Sequence, residues 1–188
     1  IILFSKESSM RQSWQLYKKN MSEDLIENII NLAGETTKAS TFNNADDSIR
    51  SSRVCWLSNQ DWIRDLLFQY VDHSCQNAFG INVYKNAEIQ YTEYHASENG
   101  HYDWHHDIDW NANDGLDRKL SITVQLSDPS EYEGGEFQFT EVPSPEMQDA
   151  KQKGSVLIFP SYLIHQVAPV TQGVRKSLVA WFKGPKWQ

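Results

Sequence analysis

Apolar positions change their period once along this chain, from a helical spacing to short alternating runs. Behind Ser22-Glu-Asp-Leu25, residues Ile26, Ile29, Ile30 and Leu32 share one helical face ahead of Gly34. This spacing predicts an amphipathic helix N-capped at Ser22 and ending near Gly34. Ile63, Leu66, Leu67, Tyr70 and Val71 predict a second helix over 62–73. Between the two, Thr36 to Ser51 is polar, with Asn43-Asn-Ala-Asp-Asp47 at its centre, and reads as an exposed loop. From Val83 onward the pattern becomes β-like, with expected strands at Glu88–Tyr94, Tyr102–Ile108, Leu120–Leu126, Gly135–Thr140, Ser155–Phe159, Gln166–Val170 and Arg175–Phe182. Turn signals separate them at Asn111–Gly115, Asp128-Pro129, Gly134-Gly135, Pro143-Ser-Pro145 and Gln172-Gly173. Helices first and many short strands afterwards predict an α+β chain whose strands form a sandwich or jelly roll. No repeat, low-complexity tract or Pro/Gly-rich linker divides it, so a single domain over 1–188 is expected, with helical support over about 1–82 and the strand core over about 83–188.

The chemistry concentrates in Gly100-His-Tyr-Asp-Trp-His-His-Asp107. In a strand, residues i and i+2 point to one face, so His105 and Asp107 would aim together and His106 away. The same alternation puts His101, Asp103 and Asp109 on that face, and His101-Tyr-Asp103 is itself an HxD. His105 and Asp107 are favoured because Gly100 marks a turn, which leaves His101 at the strand entrance. His165 supplies a third donor far downstream, and Arg175 follows ten residues later. Two nitrogen donors and one oxygen donor on one face of a metal, with other positions open, is the arrangement of non-haem Fe(II) oxygenases. A His-rich stretch is more often a solvated surface, and a lone His or Arg more often structural. It is the order of the four residues together that favours the metal. His106 is assigned to the surface or to support of the ligands, and His73 and His95 to structure. Trp56, Trp62 and Trp110 are assigned to core or lid packing.

Arg175 and Ser177 alternate onto one face of Arg175-Lys-Ser-Leu-Val-Ala-Trp181. A guanidinium grips a carboxylate through paired hydrogen bonds, and a neighbouring hydroxyl adds another. This suits the far carboxylate of a dicarboxylate whose other end chelates the metal.

Composition narrows the rest. At 188 residues with 39% hydrophobic and 12% aromatic content, the chain is long enough to bury a sizeable core. A net charge of -8 argues against a nucleic-acid partner. No apolar run is long enough to span a bilayer, so no membrane partner is expected. Ile1-Ile-Leu-Phe4 is too short for a signal-peptide core and lacks a basic segment before it, and a first residue other than Met reads as a trimmed start. Only Cys55 and Cys75 are present; they are read as two buried thiols in a reducing cytoplasm.

The chain resembles the prolyl-4-hydroxylase-like branch of the Fe(II)- and 2-oxoglutarate-dependent dioxygenases, especially the PKHD-type hydroxylases. The residues that carry the resemblance run from about Ile89 to Pro185. They include Gln90-Tyr-Thr-Glu-Tyr94, Tyr102-Asp-Trp-His-His-Asp107, the run from Arg118 to Pro129, Tyr132-Glu-Gly-Gly-Glu-Phe137, the run from Gly154 to Ser161, His165, Pro169-Val-Thr171, Arg175-Lys-Ser177 and Trp181. The resemblance implies a double-stranded β-helix, or jelly roll, with N-terminal supporting helices. It implies His105, Asp107 and His165 as Fe(II) ligands and Arg175, assisted by Ser177, on the C5 carboxylate of 2-oxoglutarate. It also implies Tyr94 and Tyr102 at the 2-oxoglutarate pocket, although two extra residues stand between them here. Ser121 and Gln125 are carried over as further polar contacts to the cosubstrate.

The implied activity is hydroxylation of an unactivated C–H bond, most simply of a prolyl residue in a peptide or protein. O2 is the second cosubstrate, succinate and CO2 are released, and ascorbate is a further candidate cofactor. No protein nucleophile or general acid beyond the metal ligands is required. Substrate selection is expected from the loops Ala96–His101 and Ile108–Asp117. Hydroxylation of a free amino acid or small metabolite is the alternative within the enzyme class, and a non-catalytic metal-binding jelly roll the alternative outside it. Oxidative demethylation of nucleic acid is disfavoured because Trp181 stands where those enzymes resemble one another in carrying a second Arg.

Overall fold

The computed structural model describes residues 11–39 and 48–187. The Ile1–Phe4 segment and the Asn43–Asp47 centre of the polar loop lie outside the described residues. In chain order the elements are β1 (Gln15–Tyr17), α1 (Glu23–Ala33), β2 (Thr37–Lys38), β3 (Arg50–Ser51), β4 (Arg53–Trp56), α2 (Asp61–Ser74), β5 (Ala87–His95), β6 (His101–His105), β7 (Leu116–Gln125), β8 (Tyr132–Gly134), β9 (Phe137–Phe139), α3 (Met147–Ala150), β10 (Val156–Pro160), β11 (His165–Val167) and β12 (Val170–Pro185).

Two antiparallel sheets carry the fold. The larger runs β1-β10-β7-β12-β5-β4-β2, with β8 also paired to β12, and the smaller runs β3-β6-β11-β9. The two-residue period of the central strands decides what lies on each side of the larger sheet. Ile89 and Tyr91 of β5, Leu120, Ile122 and Val124 of β7, and Leu178, Ala180 and Phe182 of β12 join Ile26, Ile29, Ile63, Leu67 and Tyr70 of the two long helices in one buried core. The intervening residues Gln90, Thr92 and Tyr94, Ser121, Thr123 and Gln125, and Arg175, Ser177, Val179 and Trp181 face the smaller sheet. Full burial of one such core side chain contributes about 1.5–3 kcal/mol. The helices thus fix the outer face of the sheet and leave its inner face for chemistry. This is the α+β jelly-roll arrangement.

Several local expectations needed correction. Ser22 occupies the N-cap position of α1, but its side chain makes no capping hydrogen bond; Glu23 and Asp24 in the first turn complement the positive helix end instead. Leu32 is exposed. The N-terminal part is not purely helical, because β1–β4 extend both sheets. Strands of two to four residues are too short to show a period, so they leave no legible signal. The expected strand over 102–108 stops at His105. The last strand starts at Val170 rather than Arg175, with Gly173 at φ +69° letting it pass where a Cβ would lie 2.0 Å from the Glu131 carbonyl oxygen. Cys55 and Cys75 are free but only half-buried. Among the described residues no helix is long and apolar enough to cross a membrane.

Candidate metal centre

His105, Asp107 and His165 converge between the two sheets, with one donor atom of each lying within 4.8 Å of the others. His105 and His165 are direct partners in the β6–β11 ladder. Asp107 arrives differently. It lies past the end of β6, where its N–H donates to the Ser161 carbonyl at 2.9 Å and its own carbonyl accepts from Arg118 Nη1 at 3.2 Å. Simple alternation therefore does not position it, and the competing His101 and Asp103 point elsewhere. His101 bonds the carbonyls of Asn99 and Ser48, and Asp103 is exposed.

Both imidazoles are held in the same way. Nδ1 of His105 bonds the Asp103 carbonyl at 2.7 Å, and Nδ1 of His165 bonds the Leu163 carbonyl at 2.8 Å. A carbonyl can only accept, so each Nδ1 carries a proton, and in the neutral imidazole Nε2 then presents the lone pair. The Nε2 atoms face Asp107, His105 at 3.6 Å from Oδ1 and His165 at 3.5 Å from Oδ2. Burial disfavours charge on both Asp107 and His165. For Asp107 the neighbouring His165 and His105 and the Ser121 hydroxyl outweigh burial and hold the carboxyl well below its usual range. For His165 burial wins over the pull of Asp107 and lowers the imidazole to about 4. A neutral imidazole and an ionised carboxylate are the forms that ligate metals.

One narrow cavity, continuous with solvent, contains these three residues together with Tyr94, Tyr102, Arg175, Ser177 and Trp181. Arg175 is 5% exposed, and among the described residues no carboxylate lies within ion-pair distance of it. Its Nη1 reaches Ser177 Oγ at 3.5 Å, and its guanidinium sits 5.5 Å from the centre of the Tyr94 ring. A buried cation without a counter-ion is costly, so this wall of the cavity can take up an anion. Tyr102 stacks on His105 with ring centres 3.4 Å apart, and burial pushes its hydroxyl up to about 12.

Two of the expected cosubstrate contacts have protein partners of their own. Ser121 donates to Asp107 Oδ2 at 2.6 Å and does not line the cavity. Gln125 donates to the Tyr132 hydroxyl at 3.0 Å and to the Ser127 carbonyl, one layer behind it. Ala96–His101 packs along β12, where the Gly100 carbonyl accepts from Val170 N–H at 2.8 Å, on the Arg175 side of the cavity. Ile108–Asp117 is tied down by Lys183 on Asp114, beside the Glu88–Arg118 pair. Trp56, Trp62 and Trp110 are all exposed rather than core; Trp56 rests 6.1 Å from Trp181. His106 is exposed with its ring against Trp110, His73 bonds Tyr17, and His95 bonds Glu93.

Sequence reasoning missed Arg50 and Gln90, which bond one another at 2.8 Å on the cavity wall, with Arg50 also stacked on Tyr102. Arg50 lies on a two-residue strand with no pattern of its own. It missed Phe137 and Phe159 too, whose rings pack on His165 at 5.2 and 4.7 Å.

A family model described as the 2OG-Fe(II) oxygenase superfamily matches residues 89–183. Among curated relatives, a PKHD-type hydroxylase of Parvibaculum lavamentivorans is 42% identical over 64 residues, covering 34% of this chain and 29% of the relative. Another from Idiomarina loihiensis is 30% identical over 111 residues, covering 59% of this chain and 50% of the relative. The chain thus spans at most half the length of these relatives. Among solved structures, a prolyl-4-hydroxylase of Pseudomonas putida superposes with a TM-score of 0.70 at 19% identity, covering 92% of this chain and 93% of the other. A viral collagen prolyl hydroxylase of Paramecium Bursaria Chlorella virus-1 gives 0.67 at 18%, covering 92% and 97%. At these identities the likeness is one of fold.

Proposed function

Because the chain belongs to the 2OG-Fe(II) oxygenase superfamily, we propose that His105, Asp107 and His165 hold Fe(II) and that Arg175 and Ser177 hold the C5 carboxylate of 2-oxoglutarate. The proposed reaction is hydroxylation of a prolyl residue in a peptide or protein, with release of succinate and CO2, in the cytoplasm. The observation that carries this reading is the shared cavity, with a two-nitrogen, one-oxygen donor set on one side and a buried, uncompensated guanidinium on another. A structural metal has no need of the second feature.

When bound, Fe(II) with 2-oxoglutarate and O2 supplies the oxidising chemistry, and members of the family use all three. The protein contributes orientation and exclusion. The carbonyls of Asp103 and Leu163 hold both imidazoles in the tautomer that leaves Nε2 free. Phe137 and Phe159 pack their rings on His165, and Tyr102 stacks on His105, which holds both imidazoles in place. Arg175, set in register opposite Tyr94, aligns the cosubstrate along the sheet. Trp181 lies six residues further along the same strand, roughly 20 Å away at full extension. With Arg118 stacked on it at 4.2 Å, Trp181 forms the wall offered to the substrate. Hydroxylation is supported by the PKHD-type hydroxylase relatives, and the prolyl substrate by the fold shared with prolyl hydroxylases, one of them solved with a peptide fragment.

Anaerobic addition of Fe(II) and then 2-oxoglutarate tests the site through the weak visible charge-transfer band that forms on chelation. The band is expected in wild type and absent in His165→Ala. Succinate release coupled to a prolyl peptide, and not to free proline, is expected for the substrate. No band in folded, iron-loaded wild type would sink the reading.

A further inference from the structure

Ser121, expected at the cosubstrate, has Asp107 as its hydrogen-bond partner. Both it and Ser161 are fully buried. Ser121 Oγ donates to Asp107 Oδ2 at 2.6 Å and lies 2.9 Å from Ser161 Oγ. A hydroxyl has one proton, and that of Ser121 is committed to the carboxylate. Ser161 is therefore the donor in the second contact. The two serines form a directed chain, Ser161 to Ser121 to Asp107, shielded from bulk solvent.

The rest of Asp107 is fixed as firmly. Its N–H is on the Ser161 carbonyl, and its carbonyl is on Arg118. Ser161 thus holds the Asp107 backbone directly and its side chain through Ser121. Each oxygen faces one histidine, Oδ1 His105 Nε2 at 3.6 Å and Oδ2 His165 Nε2 at 3.5 Å, but among the described residues no hydroxyl or amide donates to Oδ1.

Resting on the iron-site reading above, we propose that Ser121 is a positioning residue that reserves Oδ2 and presents Oδ1 as the single metal-binding oxygen of Asp107. A carboxylate can bind a metal through one oxygen or through both, and the second mode consumes a position that a cosubstrate needs. A hydrogen bond that engages one oxygen and fixes the carboxylate plane favours the one-oxygen mode. In a buried site that bond is stronger than it would be in water.

Co(II) titration of the metal-free protein tests this without turnover. The readouts are the dissociation constant and the ligand-field spectrum at saturating Co(II). Ser121→Ala is expected to weaken Co(II) binding by about 10–100-fold and to change the spectrum, because Oδ2 is released. Ser121→Thr, which keeps the hydroxyl, is expected to restore both. Ser161→Ala removes only the donor behind Ser121; it is expected to shift the constant in the same direction by less, and it decides the matter should Ser121→Ala not fold. Wild-type affinity and spectrum in the alanine variants would overturn the proposal alone. Failure of wild type itself to bind Co(II) or Fe(II) would overturn the iron-site reading and this inference with it.

Discussion

Arg175 stands opposite Tyr94 in the β12–β5 ladder, its guanidinium 5.5 Å from the tyrosine ring centre and no carboxylate beside it among the described residues. The aromatic face partly offsets the burial of the charge, but a cation–π contact is worth only about 0.5–2 kcal/mol. A bound dicarboxylate would supply the larger compensation.

Arg175→Met is therefore expected to separate binding from stability. Loss of two charge-assisted hydrogen bonds, together about 3 kcal/mol or more, should weaken 2-oxoglutarate binding roughly 100-fold. The ligand-free protein should melt no lower, because an apolar side chain of similar length replaces an uncompensated charge. Calorimetric titration and a thermal melt read the two effects. Unchanged affinity would remove Arg175 from the site.

Gly135 shapes the same wall from behind. Its φ is +64°, and a Cβ there would meet Arg175 Cδ at 2.9 Å and Val170 Cγ2 at 3.0 Å. Gly135→Ala should cost roughly 1–2 kcal/mol in backbone strain and, by displacing Arg175, weaken 2-oxoglutarate binding as well. A drop in melting temperature with wild-type 2-oxoglutarate affinity would show that Arg175 does not depend on this contact.

His165 sets a pH window for the metal-free protein. Its folded value of about 4 lies below the ordinary value of 6.5 that the unfolded chain has, so between the two the unfolded chain holds more protons than the folded one. The stabilisation is fully present above about 6.5 and is lost as pH falls toward 4, a loss of about 3 kcal/mol at most. Denaturant unfolding at pH 7 and pH 5 should show it, and the slope should shrink in His165→Gln. Equal slopes in the two proteins would contradict the cause assigned here.

Metal stoichiometry checks the donor set one residue at a time. His105→Ala, Asp107→Ala and His165→Ala should each bind far less than one equivalent of Fe(II) or Co(II), whereas His101→Ala and His106→Ala should bind as wild type does. Elemental analysis after gel filtration distinguishes them. Retention of a full equivalent in any of the first three would redraw the site.

What the sequence by itself determined is the part written in short periods. The alternation over residues 89–94, 120–125 and 175–182 sorts one set of side chains toward the helices and the other toward the cavity. The spacing of Arg175 and Ser177 is enough to put both on one face, since only the two-residue repeat of a strand is needed. The order of His105, Asp107, His165 and Arg175 is legible for the same reason that the resemblance is: it is a linear pattern. Only the tertiary structure decided which atoms meet. Asp107 lies beyond its strand and is aimed by Arg118 of the following strand and by Ser161, which is remote in the chain. Ser121 turns from the cosubstrate to Asp107, and Arg50 reaches the cavity from a strand of two residues. Register between distant strands fixes these contacts, and a local pattern of apolar and polar positions carries no record of register.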